Sequence, residues 1–123
     1  ILNIISEDGG GSTLKDQPKN EILDTEKIEI KTLDSLELDN IGFIKIDVES
    51  AEEFILKGGN ELLNRKKPIL LIEIHSSEIG IRCYEILSKI YSSITVFETN
   101  KIPGGTEPEI CHYICKVYIK PPC

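Results

Sequence analysis

The chain has 123 residues, one domain's worth of material, with 40% hydrophobic and 28% charged residues, as in an ordinary soluble globular protein. Its 21 acidic and 14 basic residues leave a net charge of −7 and form no basic stripe, which argues against nucleic acid or an anionic membrane surface as partner. No apolar run approaches the roughly 20 residues of a membrane span, and Ile1-Leu-Asn-Ile-Ile lacks the basic flank of a signal peptide, so a cytoplasmic location is expected.

There is no methionine, and the chain opens abruptly on an apolar run; residues 1–123 therefore read as the C-terminal portion of a longer domain. Residues 1–5 predict a short strand. From Ser6 to Thr25, glycine, Pro18 and many charges predict a long exposed loop. Gly9-Gly-Gly-Ser-Thr lies within it and leads into a polar stretch with no helical period, so it reads as a flexible loop and not as a nucleotide cradle. Lys27 to Lys31 alternates, with Ile28 and Ile30 on one face, and predicts a half-exposed strand. Thr32 then caps a short helical turn over Asp34 to Leu38.

Ile41 to Val48 is apolar and β-branched apart from Gly42, Lys45 and Asp47, the pattern of a mostly buried strand. Ser50, with Glu53 three residues on, has the spacing of a capping box. The helix it opens runs from Ala51 to about Arg65, with Ala51, Phe54, Ile55, Leu62 and Leu63 on its apolar stripe. Gly58-Gly59 costs that helix about 1 kcal/mol per glycine, so a break or a close backbone approach is expected there. After Pro68, Ile69 to Ile74 predicts a strand covered on both faces. Strand, helix and strand at this spacing make a βαβ unit with parallel strands and a right-handed crossover.

A second helix is predicted from Glu78 to Tyr91, with Ile79, Cys83, Ile86, Leu87 and Ile90 facing the core. Ile94 to Glu98 and Ile110 to Ile119 read as strands joined through the Pro-Gly-Gly turn of 101–108, and so as an antiparallel pair. Cys111 and Cys115 would share one face of the last strand as small buried hydrophobes, because the single nearby His112 does not complete a zinc spacing. A disulfide involving Cys83 or Cys123 is left open. Tyr84, Tyr91, Tyr113 and Tyr118 read as packing residues with wet hydroxyls.

Parallel strands gather their carboxyl ends on one edge of the sheet, where ligands bind. Asp47 and Glu49 end one strand, and Glu73 and His75 end the next, so three acids and a histidine can line one crevice. Each has a plainer alternative. The acids can pair with Lys45 or Lys57, His75 can face solvent, and Glu52 and Glu53 can complement the helix dipole.

The run Lys45-Ile-Asp-Val-Glu-Ser-Ala-Glu, then Ile55-Leu-Lys-Gly-Gly, Glu61-Leu-Leu and Pro68-Ile-Leu-Leu-Ile-Glu-Ile-His, resembles the FkbM family of S-adenosylmethionine-dependent methyltransferases. Lys31-Thr-Leu-Asp-Ser-Leu resembles the segment that family places just before this strand, and the likeness covers roughly Gly10 to His75. One departure is Ser50, where the family usually has glycine; its side chain would crowd a ligand that expects bare backbone.

The resemblance implies an α/β fold: part of a Rossmann-like methyltransferase sheet, with a parallel βαβ core, an antiparallel C-terminal strand pair, and the glycine-rich cofactor half missing. It implies methyl transfer from S-adenosylmethionine to a hydroxyl of a small molecule or sugar. Asp47 and His75 would be catalytic, either serving as the general base, with Asp47 also beside the cofactor. Glu49, Ser50 and Glu73 would contact the acceptor, and no resident metal is expected, although clustered carboxylates such as Glu49 suit a hard cation. The chain alone should show little activity and bind S-adenosylmethionine no tighter than millimolar by calorimetry. Two rivals stand beside this reading. One is a non-catalytic interaction module whose exposed sheet edge pairs with a partner or with its own copy as a homo-oligomer. The other is a metal-dependent hydrolase with Asp47, Glu49, Glu73 and His75 as ligands.

Overall fold

The computed structural model describes residues 2–4, 24–26, 28–104, 107 and 110–117, and the chain divides into two compact units, 1–31 and 32–123. In the first, β1 (Leu2–Ile4) pairs antiparallel with β2 (Asp24–Glu26), Asn3 lying opposite Thr25. Of the strand expected at Lys27 to Lys31, the described residues 28–31 form none. Ile28 and Ile30 are 41% and 67% exposed in irregular chain, and the strand lies earlier, inside the expected loop. Alternation sets which side chains could share a face, but a strand also needs a ladder partner, and β1 takes Asp24–Glu26. The Gly9–Thr13 stretch lies outside the described residues.

The second unit begins with a single 3-10 turn at Asp34–Leu36, where the Thr32 hydroxyl accepts the Ser35 N–H at 3.1 Å. Then follow β3 (Phe43–Ile46), α1 (Glu52–Gly58), α2 (Asn60–Lys66), β4 (Ile69–Ile74), α3 (Ser77–Leu87), β5 (Ser93–Val96) and β6 (Cys111–Lys116). They build a four-stranded mixed sheet in the order β3-β4-β6-β5. β3 and β4 are parallel, as the βαβ pattern requires, and β6 runs antiparallel to both β4 and β5. The last strand thus enters the middle of the sheet. No helix among the described residues is long and apolar enough to cross a membrane.

Packing follows the strand alternation. Leu70, Ile72 and Ile74 are buried in one core with Leu56, Leu63 and Leu87, and Leu71 and Glu73 on the other face of β4 are only partly covered. The expectation of a strand covered on both faces is therefore corrected to one fully buried face. β3 is corrected too: it is the sheet edge, shorter than 41–48, with Phe43 56% exposed and only Ile46 buried. A single neighbour leaves half of an edge strand open to water.

The helix over 51–65 is broken where its glycines predict. A Cβ on Gly59 would stand 2.8 Å from Leu33 Cδ1, so the chain needs a bare backbone at the junction of α1 and α2. Its stripe differs from the expected one, since Phe54 is 72% exposed and Leu56 fully buried. The break resets the helical phase that a single stripe over 51–65 assumes.

In α3 the Ser76 hydroxyl accepts the Ile79 N–H at 3.2 Å as a cap, and Cys83 and Leu87 are buried. This helix stops short of Tyr91, whose buried hydroxyl donates to the Pro68 carbonyl at 2.5 Å and is not wet. Cys111 and Cys115 are buried on one face of β6, and Cys83, Cys111 and Cys115 are free thiols. Burial pushes Cys83 and Cys115 up to about 12. Tyr118 and Cys123 lie outside the described residues.

Candidate functional site

β3 ends at Ile46 and β4 at Ile74, side by side and parallel, so the residues just beyond them meet at one edge of the sheet. One ligand-capable atom each from Asp47, Glu73 and His75 lies within 4.8 Å of the others, a spacing at which a cation could also be held. The expected crevice is thus formed by three of its four members. Glu49 is not brought in: the strand ends at Ile46, the alternation that would align Glu49 with Asp47 stops, and Glu49 is exposed.

Ser50 is not a helix cap. Its φ is 64°, the left-handed region, and Ala51 occupies the N-cap position with no side-chain hydrogen bond. The tight reversal from β3 into α1 uses that left-handed residue, which precludes the extended geometry a capping serine needs. Ser50 therefore stands in the turn in a backbone conformation that glycine adopts without strain.

Glu52 is the residue that sequence reasoning missed. It lies on the first turn of α1, where the dipole is an adequate explanation for an acid, yet it is 0% exposed. Its Oε1 accepts from His75 Nδ1 at 2.6 Å, and its buried Oε2 has no partner. Glu52 lies on the face of α1 that also buries Leu56, four residues on, a spacing at which an acid among core positions could have signalled an inward role. Its neighbour Glu53 behaves as a surface acid should, accepting from Arg82 Nε at 2.7 Å and pairing with Lys57 Nζ at 2.9 Å.

The pair fixes the imidazole. A carboxylate only accepts, so Nδ1 carries the proton and Nε2 is left to face the crevice, 4.0 Å from Glu73 Oε1. Burial works against the charged form of His75, but the Glu52 hydrogen bond and the charges of Glu52, Glu73 and Asp47 outweigh it and raise its pKa above the ordinary 6.5. The close approach of Asp47 and Glu73 holds the Asp47 carboxyl below its ordinary range and raises that of Glu73, with burial acting in the same upward direction on Glu73. Lys45 Nζ stands 3.8 Å from Asp47 at the exposed rim.

A second histidine arrives from β6. His112 is the direct cross-strand partner of Glu73, and its Nε2 lies 3.9 Å from Glu73 Oε1. Glu98 holds it twice, accepting from Nδ1 at 2.5 Å and from the backbone N–H at 3.0 Å. Beside Asp47, a groove of about 360 Å³ runs along the edge strand, lined otherwise by Lys45 and by Leu33, Ile44, Ile46, Val48 and Ile55.

The crevice can hold and move a proton: an imidazole oriented by Glu52 meets the carboxyl groups of Asp47 and Glu73 at one point. The family model described as the methyltransferase FkbM domain matches residues 2–99. No curated protein and no solved structure matches the chain.

Proposed function

Because the chain belongs to the methyltransferase FkbM domain family, we propose that its activity is O-methylation, with S-adenosylmethionine as donor and a hydroxyl of a small molecule or sugar as acceptor. The observation that carries this is the Glu52–His75 pair at the carboxyl edge of the parallel strands. A hydroxyl is a poor nucleophile until its proton is taken, and a histidine with one nitrogen anchored and the other free is built to take it.

When bound, S-adenosylmethionine supplies a methyl group already activated on a sulfonium. The residues present suit such a group: the Asp47 carboxyl, held below its ordinary range, lies just beyond β3 and borders an otherwise largely apolar groove, and a sulfonium is a positive charge surrounded by carbon. Asp47 would attract that charge electrostatically without taking part in bond making. His75 Nε2 would take the proton of the acceptor hydroxyl as its oxygen receives the methyl and the sulfonium carbon–sulfur bond breaks to leave a neutral thioether, with Glu52 stabilising the imidazolium that results. Glu73, at the same point, would orient the acceptor oxygen by a hydrogen bond. The raised pKa of His75 makes it a stronger base than a free imidazole. In this view the sheet is Rossmann-like, and β3-α1-α2-β4 is its catalytic edge.

The test is a transfer assay with radiolabelled S-adenosylmethionine and a panel of sugars and polyols, using the protein that carries this domain. Methyl ethers are the expected products. H75N should lower kcat by roughly 10²- to 10⁴-fold, and E52Q by a smaller factor. A product methylated on nitrogen or carboxylate, or an H75N enzyme as fast as the parent, overturns the proposal.

A further inference from the structure

We propose that His112, held by Glu98, is a second hydroxyl-binding imidazole of the acceptor site, and that the acceptor is a vicinal diol with its methylated oxygen on the His75 side. The inference rests on the O-methylation reading and goes beyond it by naming the acceptor's chemistry.

Three observations lead there. First, His112 repeats the arrangement of His75. Each ring has Nδ1 tied to a carboxylate, Glu98 or Glu52, and each turns Nε2 toward the same oxygen, Glu73 Oε1. Second, Glu98 is committed to this ring. It accepts from the ring nitrogen and from the backbone N–H of the same residue, so the imidazole is fixed in place by two hydrogen bonds. Third, His112 lies on a different strand from His75 and yet faces the same carboxyl group, Glu73, as its cross-strand partner.

The geometry sets the ligand class. At 4.0 and 3.9 Å from one oxygen, the two Nε2 atoms lie no more than about 8 Å apart. Two hydroxyls on adjacent carbons, each with a hydrogen bond of about 2.8 Å to its own imidazole, span a gap of that order, with Glu73 between them. A hydroxyl both donates and accepts, so it satisfies Nε2 in either protonation state. A lone alcohol engages only one ring.

The chain has two histidines, so both imidazoles can be followed together in one spectrum. The experiment is an NMR titration of histidine-labelled protein with cis-1,2-cyclohexanediol and, separately, cyclohexanol. The diol should move both sets of ring signals along one binding curve, and cyclohexanol should move those of His75 alone. H112Q should weaken the diol roughly 2- to 10-fold, the worth of one hydrogen bond, and leave cyclohexanol unchanged; a loss of folding stability alone would not change that ratio. If the diol moves His75 and leaves His112 still, or if H112Q keeps the parental preference for the diol, the second imidazole has no part in recognition. If neither alcohol moves His75, the acceptor site itself is misplaced and the O-methylation reading fails with it. The parental titration decides the matter even if the variant does not fold.

Discussion

Ser50 and Glu52 sit two residues apart, and neither does what its local pattern announces. Ser50 carries a side chain at φ 64°, a region that costs an L-residue about 1–2 kcal/mol and costs glycine almost nothing. Glycine returns part of that gain through its freer unfolded chain, about 0.5–1 kcal/mol. S50G should therefore stabilise the protein by roughly 0.5–1 kcal/mol, read as a higher denaturant midpoint with an unchanged slope; a lower midpoint would show that the serine hydroxyl holds the turn. Glu52 shows the opposite economy. A buried carboxylate with one unpartnered oxygen is costly, and the hydrogen bond and positive charge of His75 offset that cost. A helix-start acid with only the dipole to serve would stay in water.

Among the elements, α3 is the one whose seating carries the site from behind. It follows β4 directly and continues past His75, and Arg82 on α3 bridges Glu53 of α1 at 2.7 Å and Glu78 at 2.9 Å. It packs close because Gly80 has no side chain: a Cβ there would lie 2.7 Å from the Tyr113 hydroxyl and 3.1 Å from Ile74 Cγ2. Both neighbours are buried strand residues with little room to withdraw. G80A should therefore cost about 1–3 kcal/mol by overpacking, despite alanine's better helix propensity. A variant as stable as the parent in a denaturant titration would mean that α3 stands off the sheet.

For the molecule as a whole, the His75 proton links folding to pH. Its pKa is raised in the folded state above the unfolded 6.5, so folding favours the protonated form. The stability this supplies is complete below about 6.5 and is lost as pH rises through the folded value. The denaturant midpoint should thus fall as pH rises above about 6.5, and H75N should show a smaller fall over the same rise. Equal slopes in parent and variant would remove the charged pair as its cause.

Periodicity over short range was enough to read much of this chain. The alternation of Leu70, Ile72 and Ile74, the glycines that split α1 from α2, and the strand–helix–strand spacing that makes β3 and β4 parallel all depend on neighbours in sequence. Asp47, Glu73 and His75 were legible for the same reason, because parallel strands put their ends together whatever packs around them. The rest needed the third dimension. That β6 enters between β4 and β5, that His112 thereby faces Glu73, and that Glu52 points inward to His75 are contacts between residues 23 to 39 positions apart in the chain. No local pattern encodes such contacts. They exist only because burying the core fixes the strand order, and the strand order then decides which polar groups must satisfy one another.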